Sequence, residues 1–310
     1  MDNLTHSLAG ALLGQMGLKK LTGRAMPTLI IAANIPDTDA YASLLGTYGL
    51  TVRRGITHGP LALLLLPVML TSLVLLYNRW RPAAQPVHAG KLLLLAYIGT
   101  LSHPALDWLN SYGIRLLEPF SSTWYAGDTL FIIDIWIWAA LIGCFVWSRW
   151  REKRGGNWQR PAWFGFSAIC AYIVANGLIT GRAEARTHEV LEQRGRSPQL
   201  VVANPVPLTF WNRTMLWRDA ELHGSGDYGL FTGVRLPDSP FPNRLNHPAL
   251  ASARGRPDVE AFLFWSRMPI VIEREGRTYL ADQRFNSSLT RGQFLVPLDT
   301  AEGLRSPTAR

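Results

Sequence analysis

The sequence predicts an α-helical transmembrane bundle of four spans plus a short N-terminal helical pair, followed by a small β-rich extracytoplasmic domain. Three observations lead to that class. Charged residues make up 17% and hydrophobic residues 48% of the chain, against roughly 25% charged in an ordinary soluble domain. The acids are unevenly placed, with 8 of the 22 before Arg182 and 14 after it. Lysine disappears after the same point, while arginine reaches 17. A chain of 310 residues has room for about two domains. The change of composition divides this one into a membrane-embedded part, residues 1–181, and a soluble part, residues 182–310.

A helix that crosses a bilayer needs about 20 mostly apolar residues. Four stretches approach that length: Pro60–Tyr77, Lys91–Leu109, Thr129–Trp147 and Pro161–Ile179. Residues 4–18 and 25–36 are apolar but shorter. A 15-residue helix reaches only about 22 Å, so these two are expected to pack as a pair against the bundle. Beyond Arg182, residues 182–200 read as a helical or loose connector. Phe262–Glu273 and Thr278–Phe285 read as strands joined by a turn at Glu275–Gly276, and Gly226–Leu236 as a further strand.

Basic loops orient the bundle. Arg79, Arg81 and Lys91 lie in one loop, and Arg149, Arg151, Lys153, Arg154 and Arg160 in another. The positive-inside rule makes both cytoplasmic. It places residues 50–59, the 110–128 loop and everything after Gly181 outside, with Arg53 and Arg54 as exceptions. The net charge of +9 is thereby explained by membrane anchoring, and nucleic acid is not expected as a partner. The first residues lack the positive n-region of a cleaved leader. Two cysteines, Cys144 and Cys170, sit in apolar runs and read as buried thiols; a disulfide framework is excluded.

Ionisable groups inside or beside apolar segments are costly and usually functional or paired. Here they are Asp2, His6, Asp37, Asp39, His58, His103, Asp107, Asp128 and Asp134. Threading the chain by its basic loops brings all of them to the outer end. His103 and Asp107 are spaced i, i+4, which puts both on one helical face. Pro104 is expected to kink or restart the helix there. A His–Asp hydrogen bond is the competing reading of this pair. Asp37 and Asp39, at i and i+2 in Asn34–Ile–Pro–Asp–Thr–Asp39, can share a cation, or one can orient a ligand histidine; an Asx turn is the plain alternative. Thr5 and Thr57 precede His6 and His58 and are candidate helix caps. Asp134 enters an apolar run and needs a partner, for which a metal, a histidine or Arg115 would serve. Mixed histidine and carboxylate ligands suit zinc first, with manganese or iron as alternatives. Nucleophile-elbow, Walker A and His-Glu-x-x-His motifs are absent from the sequence.

Several of these runs together, MDNLTHSLAG at the start, NIPDTD at 34–39, RRGITHG at 53–59 and LSHPALDWLNSYGIRLLEPFSSTWYAGDTLFIIDIWIW at 101–138, resemble the YdjM-type family of prokaryotic membrane-bound metal-dependent hydrolases. The resemblance covers about residues 1–180. Later runs such as NPVPLTFWNRTMLWRD are similar to the C-terminal region of longer members. It implies a distant relation to zinc-dependent phospholipase C and related nucleases. It points to Asp2, His6, Asp37, Asp39, His58, His103, Asp107 and Asp134 as the metal site. Two departures stand out: Arg53–Arg54 where members often have His-Arg, and Gly59 where they often have Ser.

Two functions are expected to compete. One is a multi-pass inner-membrane hydrolase. In it His6, His58, His103, Asp107, Asp134 and Asp2 hold the metal, and Asp37 and Asp39 serve as ligands or general base. Arg53, Arg54 and Arg115 then hold the phosphate of a lipid or lipid-linked phosphoester. The other is a non-catalytic scaffold, whose structural metal or polar cluster stabilises a bundle displaying a C-terminal binding module. An ion-coupled transporter is a weaker third reading, because the groups gather at one end rather than across the bundle.

Overall fold

A computed structural model describes residues 1–286 and 294–299 of the chain. In chain order the helices are α1 (Asn3–Gln15), α2 (Ala25–Ala32), α3 (Gly49–Val52), α4 (Pro60–Trp80), α5 (Ala89–Asp107), α6 (Ile135–Lys153), α7 (Gln159–Gln193), α8 (Pro248–Ala253) and α9 (Pro257–Trp265). The strands are β1 (Leu200–Pro205), β2 (Asn212–Arg218), β3 (Leu222–Gly229), β4 (Gly233–Arg235), β5 (Phe241–Pro242), β6 (Pro269–Arg274), β7 (Arg277–Asp282) and β8 (Leu295–Pro297). Two compact units result. The first comprises Met1–Asp39, Arg54–Leu178 and Pro207–Phe210; the second comprises Ala40–Arg53, Ile179–Val206 and Trp211–Arg310.

Among the described residues two helices, not four, are long and apolar enough to cross a membrane: α4 and α7. The expected four-span bundle is therefore corrected. The run from Thr129 does not begin as a helix, because Leu130 bridges to Asn110 and the helix starts only after Asp134. With Arg149, Arg151, Glu152 and Lys153 at its other end, the apolar part of α6 is Ile135–Ser148, about 21 Å at the usual helical rise. In α5, the starting Lys91 and the closing His103 and Asp107 leave a shorter apolar middle. Its buried face, Leu92, Leu95, Ala96, Gly99, Thr100, His103, Pro104 and Asp107, makes it a core helix. By contrast α4 leaves Leu61, Leu64, Leu65, Val68, Met69, Leu73 and Leu76 exposed, which lipid would cover.

Backbones approach closely in the first unit because glycine permits it. At Gly10 of α1 an added Cβ would lie 2.7 Å from the Leu29 carbonyl of α2. At Gly99 of α5 it would lie 2.6 Å from Ala32 Cβ and 2.9 Å from the Leu29 carbonyl. The helix α2 is thus clamped between α1 and α5. Around this seam pack Ala25, Leu29 and Leu95, then Ala32, Leu70 and Ala96. Farther along α1 lie Leu12, Met16, Leu130, Ile137, Leu141, Cys144 and Ala162. Cys144 is buried as expected, but Cys170 is exposed.

The second unit is β-rich. An antiparallel sheet runs β1-β2-β3-β4 with β5 also on β3, and β6-β7-β8 forms a second sheet. The turn expected at Glu275–Gly276 joins β6 to β7, both residues having positive φ, 54° and 71°, the requirement of a tight primed hairpin turn. Phe262–Trp265, read as strand from its aromatic content, is helical. The proline at Pro257 and acids Asp258 and Glu260 in the first turn are helix-start signals that outweigh it. The Gly226–Leu236 segment is a hairpin of β3 and β4 rather than one strand, and the connector after Arg182 continues α7 to Gln193.

The glycine seam makes opposite predictions for two alanine substitutions. Gly99→Ala should lower stability by about 1–3 kcal/mol through overpacking. Gly143→Ala, on α6 where an added Cβ meets nothing within 4 Å, should raise it by about 0.5–1 kcal/mol through helix propensity. Thermal unfolding of the detergent-solubilised protein measures both.

Candidate metal centre

Four short pieces of chain bring ionisable groups together in the first unit. His6 lies one turn into α1. Asp37 and Asp39 lie in the tight helical segment Ile35–Tyr48 that follows α2. His58 ends the turn Ile56–His58 just before α4. His103 and Asp107 close α5, which continues through Pro104 instead of restarting there. All four of His6, His58, His103 and Asp107 are fully buried, and Asp37 and Asp39 nearly so.

One subset converges. Asp37, His58, His103 and Asp107 each offer a ligand atom, all within 4.8 Å of one another. His58 Nε2 is 3.2 Å from His103 Nε2. From Asp107 Oδ2, His103 Nε2 lies 3.5 Å away and His58 Nε2 3.7 Å. From Asp37 Oδ1 the same atoms lie 3.6 and 4.0 Å away. Ligands held at zinc distances of about 2.0–2.1 Å in a tetrahedron stand roughly 3.3–3.4 Å apart. The observed spacings are a slightly expanded version of that figure.

The surroundings dictate which ring nitrogens carry lone pairs. His103 Nδ1 faces the Ala33 carbonyl at 2.7 Å, so it must donate, and in the neutral ring Nε2 is then the acceptor. His58 Nδ1 faces Asp39 Oδ2 at 3.3 Å. Thr57 Oγ1 donates to that same carboxylate oxygen at 2.6 Å and sits 2.9 Å from Nδ1. The acceptor there again requires Nδ1 to donate, so His58 Nε2 is unprotonated. Burial lowers the His58 pKa, against the raising effect of Asp39. Two imidazole lone pairs therefore face each other, beside Asp37 Oδ1, to which no hydrogen bond is made. Acceptors that close repel unless a cation joins them, so the donor set fits a divalent metal.

Neighbouring groups position and balance the four. Asp39 stands behind His58, taking the carboxylate role that orients a ligand ring. The Arg54 amide also donates to Asp39 Oδ2 at 2.7 Å. Arg54 Nε pairs with Asp107 Oδ2 at 3.0 Å, and its Nη1 donates to Asn110 Oδ1 at 2.9 Å. Its guanidinium lies over Tyr112. Arg54 adopts φ 51°, an uncommon conformation for a side-chain-bearing residue. Asp39 fixes it from the amide side, and the Arg115 amide donates to its carbonyl at 2.9 Å. His6 stacks on His103 with centroids 3.8 Å apart, its Nε2 lying 3.2 Å from Asp107 Oδ1. The Met1 ammonium contacts the same Asp107 oxygen.

Other expected residues are placed elsewhere. Asp2 caps α1, accepting from Leu4 and Thr5 amides at 3.0 and 3.1 Å. Asp134 caps α6 and accepts from Tyr172 at 3.0 Å. Neither contributes to the converging four. Arg115 pairs with Glu118 at 3.1 Å, and Arg53 falls in the second unit. Thr57, expected as a cap, instead bonds Asp39. The Ala33 carbonyl and Asn110 carried no sequence signal, since a backbone acceptor and a lone amide have no pattern. Gly59 also gains a reason: a Cβ there would meet the Glu118 carbonyl, so the serine of other members has no space here.

A model of the YdjM inner membrane protein family matches residues 1–183. The chain belongs to that family. All the residues of the converging group lie within the matched region. No curated protein and no solved structure matches the chain.

Burial holds His6 well below the usual histidine pKa of 6.5 and lowers His58 also, with the neighbouring His103 adding to the effect. Below about 6.5 the unfolded chain takes up protons that these rings refuse, so folding loses free energy as pH falls. The melting temperature of chelator-treated protein should be steady above pH 7 and drop as pH is lowered from 6.5 to 5. A flat profile would contradict the buried, neutral state of both rings.

Proposed function

We propose that the chain is a metal-dependent hydrolase of the inner membrane, acting on an ester of a lipid or lipid-linked substrate, with a phosphoester the first candidate. The supporting observation is the pair of facing imidazole lone pairs flanked by two carboxylates. Two nitrogens and two oxygens at near-tetrahedral spacing favour zinc. Asp37, His58, His103 and Asp107 would hold the ion, which when bound supplies Lewis-acid stabilisation of developing negative charge. Asp39 Oδ2 fixes the ring of His58, while Asp39 Oδ1 makes no hydrogen bond and is the oxygen that takes a proton. Arg54 balances the charge of Asp107. Arg115, whose amide is bonded to the Arg54 carbonyl, is a further cation for a phosphate.

The two candidate spans support an outward-facing site. Arg79 and Arg81 flank the end of α4, and Arg149, Arg151, Lys153, Arg154 and Arg160 precede or begin α7. By the positive-inside rule those ends are cytoplasmic. His58, before the start of α4, and the chain after α7 then belong on the opposite side.

A scaffold with a structural metal is the second reading. It is favoured by the complete burial of His58, His103 and Asp107, since structural sites are closed and catalytic ones keep an open position. Elemental analysis and substrate turnover separate the readings. Wild-type protein purified without chelator should carry near-stoichiometric zinc, and His103→Ala should lose most of it while still inserting. Asp39→Asn should keep most of the metal but lose about 10²-fold or more of phosphoester turnover. Full metal in His103→Ala would overturn the centre itself, and metal without turnover on any lipid ester would favour the scaffold.

A further inference from the structure

The chain between Asp39 and Arg54 plays no part in the metal group, yet it is chemically unusual. Residues 40–52, AYASLLGTYGLTV, contain no charge. They form a short structured excursion rather than a random loop. The tight helical turns run to Tyr48 with a break at Gly46 (φ 62°), and α3 follows. Gly49 lies so close against Ala42 and Ser43 that a Cβ would strike the Ala42 carbonyl. The base is pinned, since the Arg54 amide donates to Asp39 at 2.7 Å.

Its apolar side chains point away from the protein. Tyr41 is 78%, Leu44 86%, Leu45 58% and Tyr48 55% exposed. In a 3₁₀ helix residues three apart eclipse, so Tyr41 and Leu44 present one face. A soluble protein seldom leaves two leucines and two tyrosines this bare in an uncharged run. Tyrosines on either side of leucines are the composition of the membrane–water boundary, where the ring is apolar and the hydroxyl wet. A few residues on in the sequence, Ile56, Leu61, Leu64 and Leu65 are exposed as well, the last three in α4, a candidate span of a chain that belongs to an inner membrane family.

We infer that Ala40–Tyr48 is an interfacial anchor, inserting Tyr41, Leu44, Leu45 and Tyr48 into the headgroup and upper acyl region of the bilayer. The occupant is the lipid surface itself. The anchor follows Asp39 directly in the chain, and five residues separate its last residue, Tyr48, from Arg54. This inference requires membrane residence of the chain and does not depend on hydrolysis.

The test uses the full chain in phospholipid nanodiscs. Exposed Cys170 is replaced by Ser, and an environment-sensitive fluorophore is placed on Leu44→Cys. The reference carries the same label on Glu275→Cys, in the exposed β6–β7 turn. Doxyl lipid labelled near the headgroup should quench the label at 44, and aqueous iodide should quench it about threefold less than the label at 275, as for a group buried ~5–10 Å into the interface. Iodide quenching equal at both positions would overturn the anchor. Protection from both quenchers would overturn it too, since the segment would then be covered by protein. Leu44→Asp with Leu45→Asp serves as the second arm. It should abolish segment insertion, read as full iodide access of a label on Tyr48→Cys, while zinc content stays at the wild-type level. Unchanged protection at 48 would count against the anchor, and the zinc readout shows whether the metal centre is independent of it.

Discussion

The first unit is organised around a repulsion. His58 and His103 aim unprotonated Nε2 atoms at each other across 3.2 Å, with Asp37 and Asp107 oxygens beside them. No folded chain holds such a set in low dielectric without compensation. Part of it is visible in the protein: Arg54 on Asp107, and Asp39 and Ala33 holding the two rings by their other nitrogens. The rest is what a divalent cation would supply. The helix ends, the uncommon backbone of Arg54 and the packing of His6 on His103 all serve to keep these atoms in place.

Such placement needs backbones closer than ordinary side chains permit. Gly10 lies one turn beyond His6 and Gly99 one turn before His103, so the glycine seam sets the distance between the two stacked rings. The clamped helix α2 ends at Ala32, and Ala33 then offers its carbonyl to His103. A few residues on, the same strand of chain delivers Asp37 and Asp39. Packing and chemistry here are one arrangement. A methyl group at Gly99 would disturb the ring geometry by the same motion that loosens the core.

The β-rich unit answers to different rules. Its strands follow hairpin logic, and its charges are handled locally, as where Asp282 takes a bidentate contact from Arg284 under the Trp265 ring. Carboxylate and guanidinium there satisfy each other and leave no excess of acceptors. The contrast with the metal group is physical: a closed pair stabilises a fold, whereas converging acceptors need a cation.

Much of this was legible in the sequence because its signals are local. The apolar length of Pro60–Tyr77, the i, i+4 spacing of His103 and Asp107 and the Glu275–Gly276 turn all follow from neighbours in the chain. The number of spans did not follow, because an apolar run does not reveal where its helix begins. The Asn110–Leu130 bridge and the Asp134 cap shorten α6 by contacts distant in sequence, and α5 owes its apolar residues to core packing. Nor does an aspartate's sequence context reveal whether it ligates or caps. Asp2 and Asp134 sit before helices and bond the free amides there, while Asp37 faces the Nε2 atoms of His58 and His103 and Asp39 the Nδ1 of His58. Residue type supplied the candidates. Only the tertiary structure, by closing Asp37, His58, His103 and Asp107 to within 4.8 Å, decided which lone pairs meet, because that depends on distances between segments up to 70 residues apart.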